Sequence, residues 1–107
     1  MTRRVVVRPS AERDVAEAAA YYVDQAGGGE AGLALASRFL AAVRAALTAV
    51  GERPLAWPLV TRTKRRYLVS LHDRFPFVVY YAVSDEEVAV VAILRGSRNP
   101  AMWKHRR

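Results

Sequence analysis

The residues in this sequence that could do chemistry are mainly arginines and lysines gathered in one short stretch. Lys64, Arg65 and Arg66 open a predicted strand, Arg62 comes just before it, and Arg74 lies across the following turn. Guanidinium groups at the exposed end of a strand can bind phosphates through paired hydrogen bonds. In a ribonuclease, such groups would stabilise the charge that develops on phosphorus during attack by a hydroxyl. The structural alternative is charge that protects an edge strand from aggregation.

A second basic pair, Arg95 and Arg98, follows the most apolar segment, Val88–Leu94. This segment is apolar on both faces, which is typical of a strand covered on both sides. Because the end of a buried strand is a rigid platform, we expect both arginines to contact a target or a partner. The alternative is an ordinary polar tail.

The aromatic residues near these basic groups are expected to be structural. Tyr80 and Tyr81 are adjacent in a predicted strand, so they should point to opposite faces, with core packing as the expected role of both. Trp103 is expected to fold the tail back onto the sheet, and Trp57 to anchor a proline-rich loop. Stacking on nucleic-acid bases is the alternative for either tryptophan.

No other group in the sequence is placed for catalysis. His72 and His105 show no metal-ligand spacing, and nothing positions either imidazole as a general base. The sequence also contains no carboxylate pair with suitable spacing, no nucleophile elbow and no glycine-rich nucleotide loop. We therefore predict no metal site and no cofactor.

The absence of cysteine excludes a disulfide framework and fits a reducing cytosol. The apolar stretch after the basic N-terminus is too short for a signal peptide. No uninterrupted run of about 18 apolar residues is present. These features predict a cytoplasmic protein with no membrane partner.

The net charge of +7 comes entirely from the second half of the chain. Residues 1–52 hold six basic and six acidic side chains, whereas residues 53–107 hold eleven basic and four acidic ones. Such asymmetry indicates an anionic partner, either nucleic acid or an acidic protein. A basic surface that only aids solubility is the alternative.

The elements that must position these residues form a single predicted domain, residues 1–107. A β-branched run predicts a strand over 3–8, and Ser10 is the predicted N-cap of the helix that follows. Two amphipathic helices separated by three glycines predict a helical hairpin over about 10–51, with Gly51 as the residue that ends it.

A sheet is predicted over about 64–94, followed by a basic tail over 95–107. Short turns separate its strands, so the strands should be antiparallel neighbours. The three strand-like runs are 65–71, 75–83 and 88–94. The predicted fold is therefore α+β, in the order β-α-α-β-β-β, with the helical hairpin packed on a small antiparallel sheet.

Three local patterns, in this order of elements, resemble the ParE/RelE toxin superfamily. Val7–Val15 is similar to an opening in which a strand leads into A-x-x-D and an apolar residue. Arg74–Tyr81 is similar to an FPY-x-Φ-x-Y segment. Val91–Pro100, followed by Trp103, is similar to an ending in which a strand runs into a basic H-x-x-R-x-P-x-x-W pattern.

The resemblance implies the toxin of a type II toxin–antitoxin system, neutralised by a cognate antitoxin whose flexible segment wraps it. ParE-like members poison DNA gyrase and RelE-like members cut mRNA on the ribosome; the ParE-like activity is the preferred prediction. A RelE-like endoribonuclease would use Arg65, Arg66, Arg95 and Arg98 for catalysis. The family often has histidine at the position of Arg95, so that imidazole is missing here. The third alternative is a non-toxic interaction module.

The antitoxin is expected to be acidic, because a groove between the helical hairpin and the sheet edge would lie beside the basic half. An acidic amphipathic segment could fill such a groove and neutralise the charge. The residues predicted to contact the target or the antitoxin are Arg62, Lys64, Arg65, Arg66, Arg74, Arg95, Arg98 and Trp103.

Overall fold

The computed structural model describes residues 3–69, 75–95 and 100–107. It confirms the α+β fold and the predicted order of elements. These elements are β1 (Arg4–Val7), α1 (Pro9–Gln25), α2 (Gly29–Glu52), β2 (Lys64–Leu68), β3 (Val78–Val83), β4 (Glu87–Leu94) and a one-turn 3-10 helix (Pro100–Met102).

The four strands form one sheet in the order β1-β4-β3-β2. The strands β2, β3 and β4 are antiparallel neighbours, as predicted, but β1 runs parallel to β4, with Val5 opposite Val88. The sheet is therefore mixed and not purely antiparallel. A short turn fixes the relative direction only of the strands it joins, and the whole helical hairpin separates β1 from the others.

The first helix begins earlier than predicted. Arg8 is its N-cap and Pro9 its first residue, so Ser10 lies inside the helix and is not the cap. Proline suits the first helical position because its fixed backbone angle is helical and the missing N–H needs no partner there. The Ser10 hydroxyl instead donates to the Val91 carbonyl at 2.9 Å.

The second helix passes through Gly51 and ends after Glu52, so Gly51 is not the residue that terminates it. A Cβ atom at Gly51 would lie 2.8 Å from Cγ2 of Val5. Glycine at this position therefore allows α2 to approach β1 closely. The turn between the helices is confirmed, since Gly27, Gly28 and Gly29 all have positive φ angles, between 63° and 82°.

Both helices pack on one face of the sheet, around a core of aromatic and β-branched side chains. Tyr22, Phe39 and Phe75 meet there, with ring centroids 5.0–5.8 Å apart. Phe75 is buried but precedes β3, which begins at Val78 and not at residue 75 as predicted. Pro76 lacks the N–H that a paired strand would need.

Helix α2 is long and apolar enough, by length and composition, to cross a membrane. Its buried residues form one stripe at helical spacing: Gly32, Ala36, Phe39, Val43, Ala46 and Val50. This stripe packs in the core of the domain. One face of α2 therefore packs in the core, and its other residues are exposed or partly buried.

The strand β4 contains a bulge at Val91. Tyr80 pairs with Ala92, whereas Tyr81 pairs with Val90, so Val91 has no opposite residue. Val90 faces the helices, while both Val91 and Ala92 lie in the cluster on the other face. The bulge therefore reverses the alternation in the middle of the strand, which a strict two-residue period does not anticipate.

Alkaline pH is expected to destabilise the protein through Tyr81, whose buried hydroxyl donates to the Pro54 carbonyl at 2.6 Å. Burial, partly offset by the charge of Arg65, raises the pKa of Tyr81 from 10.0 to about 12. The unfolded chain ionises first, so this stabilisation is complete below about pH 10 and is lost as the pH rises to about 12. The total loss is about 3 kcal/mol.

Urea unfolding at about pH 9 and about pH 11.5 measures about two thirds of this loss. The Tyr81→Phe variant should begin about 1 kcal/mol less stable, because the Pro54 carbonyl loses its donor. It should then lose less stability at high pH than the wild type. Burial also raises the pKa of Tyr22 and Tyr80, but both remain in the variant, so the difference isolates Tyr81. Equal losses in the two proteins would contradict the assignment.

Candidate binding site on the back face of the sheet

The C-terminal tail covers the face of the sheet opposite the helices, which we call the back face. Trp103 stacks on Tyr80, with ring centroids 4.0 Å apart and ring planes 14° apart. This contact confirms that Trp103 folds the tail onto the sheet. Tyr81 lies in the core on the helix side, so the two adjacent tyrosines face opposite sides. The buried side chains of the back face are Val78, Tyr80, Val91, Ala92, Leu94 and Trp103.

Two polar contacts hold the tail in place beside this stack. The Lys64 ammonium donates to the Lys104 carbonyl at 3.0 Å. Arg106 donates from Nη1 to Oδ2 of Asp14 at 2.7 Å and to the Val91 carbonyl at 3.1 Å. The tail is therefore connected to β2, to α1 and to the bulge of β4.

Asp14 is not among the predicted site residues, yet it lies at the centre of this arrangement. Its Oδ2 accepts both the Arg106 guanidinium and the Ile93 backbone N–H, the latter at 3.0 Å. The sequence contains a signal for this role. Asp14 lies three residues after Ala11 and four before Ala18, both buried, so helical spacing places its carboxylate on the buried face of α1.

The four predicted basic residues at the start of β2 have different surroundings. Arg62 and Arg66 are exposed, whereas Lys64 is only 8% exposed. Arg65 points to the other side of the strand from Arg66, as predicted, and donates to the Trp57 carbonyl at 2.7 Å. Arg65 therefore helps to hold the preceding loop, and Arg62 and Arg66 are the two best exposed to an external partner.

The predicted role of Trp57 is confirmed by its packing. Its indole makes an edge-to-face contact with the ring of Tyr67, with centroids 4.7 Å apart. The Pro58 carbonyl accepts the Arg66 backbone N–H at 3.0 Å, so the loop also pairs with the outer edge of β2. This loop covers part of the edge strand.

Arg95 lies at the end of β4, as predicted, but it packs against α1. Its guanidinium carbon is 3.6 Å from the centroid of the Tyr21 ring, a cation–π contact. Burial raises the pKa of the neighbouring Tyr22, and the charge of Arg95 partly offsets this rise. The predicted contact residues Arg74 and Arg98 lie outside the described residues, as does His72.

Arg66 and Lys104 meet the stacked aromatic pair at a cavity of about 490 Å³. Burial raises the pKa of Tyr80 and the charge of Arg66 partly offsets it, so this phenol is neutral near pH 7 and is no base there. His105 is exposed, and no group of three potential metal ligands occurs in the described ranges. The arrangement can bind anionic groups, and the described side chains provide no positioned general base.

Comparison with known protein families identifies a family that the chain resembles over most of its length. A family model described as the ParE toxin of the type II toxin–antitoxin system parDE matches residues 5–100. The match covers both helices and the four strands, apart from Arg4 of β1, and it ends at Pro100. No curated protein matches the chain significantly.

Proposed function

We propose that this chain, which belongs to the ParE toxin family of type II toxin–antitoxin systems, poisons DNA gyrase. Membership of the family implies an antitoxin as partner, and we propose that this antitoxin is acidic and neutralises the toxin by binding to it. In this proposal the toxin acts in the cytoplasm by binding gyrase, and it does not itself catalyse a reaction.

The family match over residues 5–100 is the observation that carries the proposal. Charge supports it, since the whole excess of +7 belongs to the half of the chain that holds β2, β3, β4 and the tail. A strongly basic surface favours rapid association with an acidic protein surface or with DNA. Arg62 and Arg66, beside and in the edge strand β2, belong to this half of the chain and are exposed.

The surroundings of Arg95 also favour a binding role over catalysis. The superfamily that the sequence resembles often has histidine at this position, whereas a guanidinium is no general base. Here the guanidinium lies over Tyr21. This cation–π contact holds the Arg95 side chain against α1.

Cleavage of mRNA on the ribosome is the second candidate function. The observation in its favour is the cavity where Arg66 and Lys104 meet Tyr80 and Trp103. Cations beside aromatic rings are typical of sites for single-stranded nucleic acid. Both rings are buried against each other, however, so a base could reach only their edges.

Reversing the charge at the exposed start of β2 is expected to weaken gyrase inhibition. In the Arg62→Glu/Arg66→Glu variant, repulsion replaces attraction at two surface positions, and we expect the half-inhibitory concentration to rise at least about tenfold. The measurement is supercoiling of relaxed plasmid by purified gyrase over a range of toxin concentrations.

The matched control is Arg38→Glu/Arg44→Glu, which makes the same change of charge at exposed positions of α2. We expect it to inhibit within about threefold of the wild type, since only net charge differs. Equal loss in both variants would mean that net charge alone matters. If neither the wild type nor any variant inhibited gyrase, and the wild type cleaved RNA in a ribosome-dependent way, the second candidate function would be favoured.

A further inference from the structure

Lys64 is the most buried cation of the described residues, at 8% exposure. The described residues give its ammonium one hydrogen bond, to the Lys104 carbonyl. A carbonyl carries only a partial charge, and a buried charge is costly unless an opposite charge or several hydrogen bonds compensate for it. An ammonium has three donors, so Lys64 can still bind an anionic group.

Lys64 lines a cavity of about 300 Å³ near the place where the tail ends on the back face, which we call the end pocket. Its other charged lining residues are Arg8, Glu87, Arg106 and Arg107. Lys64 belongs to β2, whereas these four residues come from the link between β1 and α1, from the start of β4 and from the tail. The fold therefore brings together four cationic side chains and one side-chain carboxylate from four separate segments of the chain.

The carboxylates nearby are already used by two of these cations. Arg8 pairs with Glu87 at 2.9 Å, and Arg106 pairs with Asp14 at 2.7 Å. Neither Lys64 nor Arg107 has a carboxylate partner among the described residues. Like charges held around one small cavity repel each other, so an anionic group that enters it would be favoured.

The remaining walls indicate which anion fits. They include Ala82, Val83, Ala89 and Val91, which are apolar and small, and they contain no aromatic side chain. A nucleotide would find no ring on which to stack its base. A carboxylate on a short aliphatic stem would place its methylenes on the apolar floor and its oxygens beside Lys64 and Arg107.

We propose that the end pocket binds an acidic side chain, glutamate or aspartate, of the antitoxin. This inference rests on the proposed function, because it assumes that an antitoxin binds the toxin. It adds that one antitoxin carboxylate binds in the end pocket and that Lys64 is the toxin residue with which this carboxylate pairs.

The experiment compares the affinity of the full-length toxin and its Lys64→Met variant for the cognate antitoxin. Methionine keeps an apolar chain of similar length, and urea unfolding checks that the variant folds. We expect the dissociation constant to rise about tenfold or more. The slope of its logarithm against the logarithm of the salt concentration should fall by about one, because one charge no longer takes part in binding. The matched control, Arg38→Met, removes an exposed charge on α2 and should bind within about twofold of the wild type.

A double-mutant cycle then identifies the partner residue. Each acidic residue of the antitoxin is changed to its amide and tested against both toxins, and one change is expected to matter for the wild type and to be nearly silent against Lys64→Met. A complex in which no acidic residue couples to Lys64 overturns the end-pocket proposal alone. Loss of affinity of Lys64→Met for a single-stranded RNA oligonucleotide, with normal antitoxin binding, also overturns it. If toxin and antitoxin form no complex, the proposed function fails as well.

Discussion

The Trp103→Ala variant is expected to lose about 4 kcal/mol of folding free energy and to release the C-terminal tail from the sheet. Trp103 is 5% exposed and contributes one of the two stacked rings on the back face. Its removal exposes Tyr80 and leaves a cavity that the small neighbours Val91 and Ala92 cannot fill. The melting temperature should fall by roughly 15–20 °C.

Thermal and urea unfolding measure this loss, with Met102→Ala as the control. Met102 is the preceding residue and is 45% exposed, so its truncation should cost less than about 0.5 kcal/mol. Trp103→Phe keeps a ring on Tyr80 and should recover much of the stability. A Trp103→Ala protein within about 1 kcal/mol of the wild type would mean that the tail does not pack on the back face in solution.

The Asp14→Ala variant is expected to lose about 3 kcal/mol, because Asp14 satisfies two groups at once. Its carboxylate is 8% exposed and pairs with Arg106, and it also accepts the buried Ile93 N–H. Residues 91–94 of β4 extend beyond its pairing with β1, which ends at Val7 opposite Val90. Side chains of α1 and the tail therefore supply partners that a neighbouring strand would otherwise provide.

Asp14→Asn separates the two contacts, since the amide oxygen can still accept from Ile93 while the charge that pairs with Arg106 is gone. We expect it to cost less than Asp14→Ala. Glu17→Ala, one turn along the same helix and exposed, should change stability by less than about 0.5 kcal/mol. If Asp14→Ala and Glu17→Ala unfolded at the same urea concentration, the role assigned to Asp14 would be wrong.

Periodicity predicted the elements of this fold because each has a clear apolar pattern. The apolar stripe that includes Ala36 and Val43 predicted α2, three glycines predicted the turn, and the continuous apolar run predicted β4. The buried face is centred on Phe39, however, and Leu33, which belonged to the predicted stripe, is 66% exposed.

The predicted ends of the two helices, at Ser10 and Gly51, were less accurate. At both positions a tertiary contact explains the residue better than the local rule for helix ends does. The Ser10 hydroxyl donates to the Val91 carbonyl, and Gly51 allows the close approach of Val5.

The features that were not predicted depend on contacts between residues far apart in sequence. The parallel pairing of β1 depends on where the helical hairpin returns the chain. The bulge at Val91 reverses a two-residue alternation, and nothing in an all-apolar run marks its position. Asp14 carried a weak signal, an acidic residue at a buried helical position, but its partners Arg106 and Ile93 lie 92 and 79 residues away.

The sequence groups several basic residues at the start of β2, but it does not assign a role to each of them. Alternation separated Arg65 from Arg66, and it did not reveal that Lys64 is buried or that Arg65 holds the loop at Trp57. Burial of a lysine depends on the tail that covers it, and the tail is placed by Trp103. Composition therefore indicated an anionic partner, while the roles of individual cations depend on tertiary packing.

The central claim, that this toxin grips gyrase and traps it, is tested most directly by looking for cleaved DNA. Purified gyrase, supercoiled plasmid and purified toxin are incubated with ATP, stopped with detergent and protease, and separated on a gel. We predict linear plasmid that increases with toxin concentration and disappears when the antitoxin is added first. Plasmid that stays intact and fully supercoiled at every toxin concentration would contradict the claim and would direct attention to the ribosome.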